Sequence, residues 1–94
     1  MKIITSMLIQ DFKNYLREEE KSKSTIEKYI RDITVLKAWL GGRDSDKTAI
    51  LEYKEKIRAE YAARSVNSII SSLNSFFDFV GWCDCKVTLL KIQR

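Results

Sequence analysis

Lys21, Lys23, Lys28 and Arg31 are spread through the stretch KSKSTIEKYIR, with Ser24 and Thr25 at its centre. Cations of this kind neutralise phosphates and release their counterions, and the first turn of a helix adds oriented backbone N–H donors. A second set lies in ARSVNSIISSLNS, where Arg64, Ser65, Asn67, Ser68 and Ser71 fall on the polar rows of one helix. A solvent-facing helix usually carries Glu and Lys there. Small hydroxyls and amides instead admit a close approach, and they can donate to phosphates or touch base edges. Each set also has a plain structural alternative. For the first it is a capped helix with a solvated charged face; for the second it is tight helix packing or a serine-rich surface.

Other chemistry is harder to assemble. With no histidine in the chain, no glycine-rich phosphate loop and no convincing acid pair, each common catalytic constellation lacks a member. Tyr15, Tyr29, Tyr53 and Tyr61 have no cluster of arginines and histidine to stabilise a phosphoryl transition state. No catalytic residue is assigned, and the chain is not expected to be an enzyme by itself. Cys83 and Cys85 offer too few ligands for a closed zinc site and stand too close for an easy disulfide, so neither metal nor cofactor is expected.

The elements that must position these residues follow from apolar periodicity. The chain has no proline, and Gly41, Gly42 and Gly81 stand where periodicity stops, as helix C-caps do. Helix one, about residues 6–20, places Leu8, Phe12, Tyr15 and Leu16 on one face. Helix two is predicted to begin at Ser24, with Ser24 and Glu27 as an S-x-x-E capping box, and it aligns Ile26, Tyr29, Ile30, Ile33, Leu36 and Leu40. Helix three runs from Asp46 or Lys47 to Tyr61, with Ile50, Tyr53, Ile57 and Tyr61 inward. Helix four, from about Ser65 to Val80, carries Val66, Ile69, Ile70, Leu73, Phe76, Phe77 and Val80 inward. The residues after Gly81 lack a clear period and read as a packed tail, a short extra helix or the start of a connector.

Ninety-four residues with 45% hydrophobic content suit one all-α domain, and the net charge of +4 permits nucleic-acid contact without demanding it. The excess is even: residues 1–40 hold eight basic and six acidic groups, and residues 41–94 hold nine and seven. Any basic patch must therefore come from folding. No stretch approaches the roughly 18 apolar residues of a membrane span, and the expectation is a cytoplasmic chain without a membrane partner.

Over about residues 8–82 the sequence resembles the N-terminal core-binding domain of phage integrases, the tyrosine site-specific recombinases. The resemblance is carried by Phe12, Tyr15 and Leu16 at the end of helix one, and by Ser24, Thr25, Ile26 and Tyr29 opening helix two. It continues with Trp39-Leu40 closing helix two, and with Ser65, Val66, Asn67, Ile70, Ser71, Leu73, Phe76 and Phe77 in helix four. It implies a compact orthogonal four-helix SAM-like bundle set against duplex DNA. It further implies that the catalytic arginines, histidine and tyrosine lie in a domain absent from this chain, and that other recombinase protomers share the DNA. Residues 1–82 are then the core-binding domain, and residues 83–94 a tail or the start of a linker to that catalytic domain. One departure is that GWCDCKVTLL lacks the Asn-Pro often found after helix four.

The DNA-binding face expected from both arguments comprises Lys21, Lys23, Ser24, Thr25, Lys28, Arg31, Arg64, Ser65, Asn67, Ser68 and Ser71. The competing expectation is a helical protein-interaction module with incidental positive charge; a third is a stand-alone DNA-binding regulator that would dimerise symmetrically.

Overall fold

The computed structural model describes residues 1–92. Among them are α1 (Ser6–Glu18), α2 (Lys23–Leu40), α3 (Lys47–Glu60), α4 (Ala63–Val80) and a 3-10 turn at Cys83–Cys85, with no strand. The all-helical class expected from the sequence is the one observed. The predicted stripes supply the core: Phe12 and Leu16 from α1, Ile33 and Leu36 from α2, Ile50 and Ile57 from α3, and Ile70, Phe76 and Phe77 from α4 are almost wholly buried. Helix α4 packs against α1, α2, α3 and the 3-10 turn, which makes it the hub of the bundle. Its serines and asparagines are weak helix formers, so burial of its apolar stripe holds it helical.

Tyr61 departs from the expected inward stripe. Helix α3 ends at Glu60, Tyr61 is extended (φ −129°, ψ 157°), and the residue is 52% exposed. Helical spacing from Ile57 loses its meaning one residue beyond the helix. Phe79 and Trp82 are half-buried: Phe79 lies 4.8 Å from the Tyr15 ring and Trp82 6.1 Å from Phe76, so both extend the aromatic core.

The helix ends differ more than the helix bodies. At the predicted Ser24–Glu27 box the observed N-cap is Ser22, whose Oγ accepts from the Thr25 N–H at 3.2 Å and donates to Thr25 Oγ1 at 2.9 Å. Ser24 is thereby inside the first turn. Helix α4 begins at Ala63, two residues before the predicted start, and its N-cap Ala62 has no side chain able to cap. Helix α1 closes in a Schellman turn, with Lys21 N–H donating to the Leu16 carbonyl at 3.1 Å and Glu20 N–H to the Arg17 carbonyl at 3.0 Å. Glu20 occupies the left-handed position of that turn (φ 58°), which glycine fills at Gly81 (φ 79°).

The loop ends are stitched together at the far side of the bundle. The Lys2 N–H donates to Asp44 Oδ1 at 2.7 Å, Ser45 N–H to the Lys2 carbonyl at 2.7 Å, and the buried Cys85 thiol to the Ser45 carbonyl at 3.0 Å. Burial, reinforced by Asp84, pushes that thiol above its ordinary pKa, so it stays protonated. Cys85 and Val87 lie in the same core as the helices.

Two outcomes follow from these features. Glu20→Gly relieves a left-handed side-chain conformation and should raise unfolding free energy by about 0.5–1 kcal/mol in urea titrations. Burial, with Asp32 next in effect, pushes the Tyr53 phenol from 10.0 up to about 12. The unfolded chain releases this proton first, so stability falls as pH rises between those values. Tyr53→Phe should flatten that alkaline loss in denaturation curves measured across the window while leaving the neutral-pH curve nearly unchanged.

Candidate nucleic-acid interface

The predicted site residues are brought together only where α2 meets α4. A groove of about 300 Å³ is lined by Lys28, Arg31 and Asp32 from α2, by Ser65, Ser68 and Ile69 from α4, and by Tyr61 from the intervening turn. Arg31 and Ser65 are exposed, and Ser68 is half-buried. The uncapped start of α4 opens beside this groove, leaving first-turn N–H groups without a side-chain acceptor. Arg64 and Ser71 are exposed on α4. Among the described residues Arg31, Arg64, Lys21 and Lys23 make no ion pair.

Lys28 has a different standing. Its Nζ lies 2.5 Å from Asp32 Oδ2 and donates to the Ser68 carbonyl at 3.2 Å and to Ser72 Oγ at 3.3 Å. Ser72, fully buried, donates in turn to Asp32 Oδ2 at 2.7 Å. The Asp32 side chain is only 12% exposed, so its charge needs both partners. The pair bridges α2 to α4 and is close to neutral as a unit. Positive charge available to an anion in the groove therefore comes from Arg31, not from Lys28.

The remaining residues divide. Lys21 lines a second groove of about 420 Å³ with Tyr15, Tyr29, Ser75, Asp78 and Phe79. Lys23 and Ser24 are exposed in the first turn of α2, and the Ser24 hydroxyl stands 3.3 Å from that of Ser22. Thr25 receives the Ser22 cap. Asn67, expected among the groove contacts, turns instead to the chain's own C-terminal segment: its Nδ2 donates to the Leu90 carbonyl at 2.9 Å and its Oδ1 accepts from Leu90 N–H at 2.6 Å. Sequence reasoning did not reach Tyr61, Asp32 or Ser72. Tyr61 was hidden by its helical spacing from Ile57, and Ser72 by being one serine in a run of similar ones; Asp32, four residues after Lys28, was a readable i,i+4 partner.

The domain is thus an all-helical bundle with a mixed polar groove between its second and fourth helices. The chain belongs to the family described as phage integrase, N-terminal SAM-like domain, whose profile matches residues 9–82. It is similar to tyrosine recombinase XerA of Pyrococcus horikoshii, with 34% identity over 80 residues, covering 84% of this chain and 27% of that protein. Against tyrosine recombinase XerA of Pyrococcus furiosus the identity is 32% over 81 residues, covering 85% of this chain and 28% of the relative. The chain thus spans little more than a quarter of the length of the curated relatives it matches. No solved structure gives a significant match. Among the described residues no helix is long and apolar enough to cross a membrane, and no cluster of three or more His, Cys, Asp or Glu side chains is placed to hold a metal ion.

The bridge between α2 and α4 can be tested by contrast. Ser72→Ala should lower unfolding free energy by about 1–3 kcal/mol, because the Asp32 carboxylate loses a buried donor. Ser71→Ala, one residue away and exposed, should stay within about 0.5 kcal/mol of the parent. Equal losses in urea titrations would show that the Ser72 hydroxyl carries no special role.

Proposed function

We propose that this domain is the DNA-binding, core-binding part of a tyrosine site-specific recombinase, and that it has no catalytic activity of its own. In this reading it grips duplex DNA through the start of α2 and the polar face of α4. The observation that carries it is the convergence of Arg31 from α2 with Ser65 and Ser68 from α4 in one groove, beside the uncapped start of α4. A phosphate seated there would meet a guanidinium, hydroxyl donors and the positive end of a helix. Arg64 on α4 and Lys21 and Lys23 at the entrance of α2 supply further phosphate contacts, with Ser24 and Thr25 as neutral donors. Ser71, small and exposed, is the groove-reading candidate. Lys28 contributes by fixing Asp32 and the spacing of the two helices. Asn67 contributes by holding the C-terminal segment against α4. The relatives named as tyrosine recombinases support the same reading. The domain's partners are then double-stranded DNA, a catalytic domain of the same protein and other protomers on the DNA.

With net charge +4 and few cations on this face, affinity should be weak, about 10⁻⁴ to 10⁻⁶ M at physiological salt. Titration of the ¹⁵N-labelled domain with a short duplex at low and then moderate salt should shift amides at residues 21–31 and 61–71, with shifts that fade as salt rises. Arg31→Ala combined with Arg64→Ala should lower the salt slope by about 1–2 and weaken binding similarly on unrelated sequences. Shifts confined to residues 79–92, or a slope unchanged by the double substitution, would reject this face and favour a protein partner.

A further inference from the structure

Beyond the burial of Val87 and Leu90, the hydrogen bonds that α3 and α4 make to residues 87–90 go mostly to their backbone. Asn74 Nδ2 donates to the Val87 carbonyl at 2.9 Å while its Oδ1 accepts from Val87 N–H at 3.1 Å. Seven residues earlier on the same helix, Asn67 treats Leu90 identically, at 2.9 and 2.6 Å. Each asparagine presents the donor and acceptor that a neighbouring strand would. From α3, Lys54 Nζ donates to the Thr88 carbonyl at 2.7 Å, and Lys47 donates to the Lys86 carbonyl. Later residues of the segment meet earlier residues of α4, so the two run antiparallel.

The spacing has a physical basis. Lys86 has φ −64° and ψ 141°, in the polyproline II region, where the chain repeats every three residues with a rise of about 3.1 Å each. The burial pattern agrees: Val87 is buried and Leu90 half-buried, while Thr88 and Leu89 between them are exposed. Three such residues advance about 9 Å. Seven residues of α-helix advance about 10.5 Å, which leaves both asparagine amides within reach of equivalent peptide groups.

We infer that Asn67 and Asn74 form a backbone-reading rail for a threefold extended strand with apolar residues three apart, and that residues 86–90 occupy it as a strap. The rail is a peptide-binding site filled by the chain's own segment. Because its polar contacts go to main-chain groups, Thr88 and Leu89 are free to vary, whereas the Val87-to-Leu90 interval is fixed. The strap thereby sets where the chain leaves the bundle: along α4, toward that helix's amino-terminal turn. This inference stands on the strap contacts and is independent of DNA binding.

Amide hydrogen exchange on the 94-residue chain tests it. Val87 and Leu90 amides should be protected, while Thr88 and Leu89 exchange near free rates. Asn74→Ala should accelerate exchange at Val87 by about five- to tenfold, with amides of α1–α3 unchanged. Asn74→Asp, which keeps the acceptor oxygen, should retain most of that protection. One alanine inserted between Thr88 and Leu89 puts Leu89 at the third position after Val87, so protection should stay at Val87 and pass from the Leu90 amide to the Leu89 amide. Equal protection of all four amides, no protection in the parent chain, or protection that stays on the Leu90 amide after the insertion would overturn the rail.

Discussion

Everything in this domain depends on the burial of α4. It is the element that touches all the others, and its apolar stripe, from Val66 through Phe77, is almost completely removed from solvent. The rest of its circumference is mostly serine and asparagine, residues whose intrinsic helical preference is weak. Such a helix forms only because the core around Phe12, Ile33 and Ile50 closes upon it. The benefit is room: short polar side chains let α2, the strap and an external surface all approach one helix.

The polar rows of α4 are therefore divided among three jobs. Ser68 and Ser72 face α2 and, through Lys28 and Asp32, tie the two helices together. Asn67 and Asn74 face the strap. Arg64 and Ser71 are left to solvent between these flanks. The electrostatic consequence is that a basic sequence does not become a uniformly basic face. The short Lys28–Asp32 pair cancels one cation at the centre of the α2–α4 contact, and Lys86 is occupied by Asp78 at 2.9 Å. On the α2–α4 side, Arg31, Arg64 and the lysines that open α2 are left without an acidic partner among the described residues.

The sequence made the helix bodies readable because a period of 3.6 repeated over three or more turns is a strong signal, and Gly41 and Gly81 marked two ends plainly. Ends without a glycine were read unevenly: the starts of α1 and α3 fell where expected, but others did not. Glu20 closes α1 in a conformation normally left to glycine, and Ala62 opens α4 with no capping group at all. At α2 both Ser22 and Ser24 fit a cap, and only the extended backbone of Ser22 (ψ 155°) decides between them. The candidate groove was half legible: residue types on two helices suggested phosphate contact, but which cations are free depends on side-chain partners across the α2–α4 contact. The strap was least legible, since a threefold extended segment has no internal hydrogen bonds and five residues are too few to show a period.

The strap and the weakness of the free charges have a joint consequence in the proposed reading. A face with few unpaired cations holds DNA loosely on its own, and a second DNA-binding unit on the same protein would raise the effective concentration of each for the other. That gain is largest when the connection spans the required distance with little slack, because every additional flexible residue enlarges the volume to be searched. By pinning residues 86–90 to α4, the two asparagines remove five residues from the flexible part of any such connection. They also fix its starting point beside the amino-terminal turn of α4, the same turn that opens on the groove. In that reading one helix couples the proposed grip on the nucleic acid to the course of the strap.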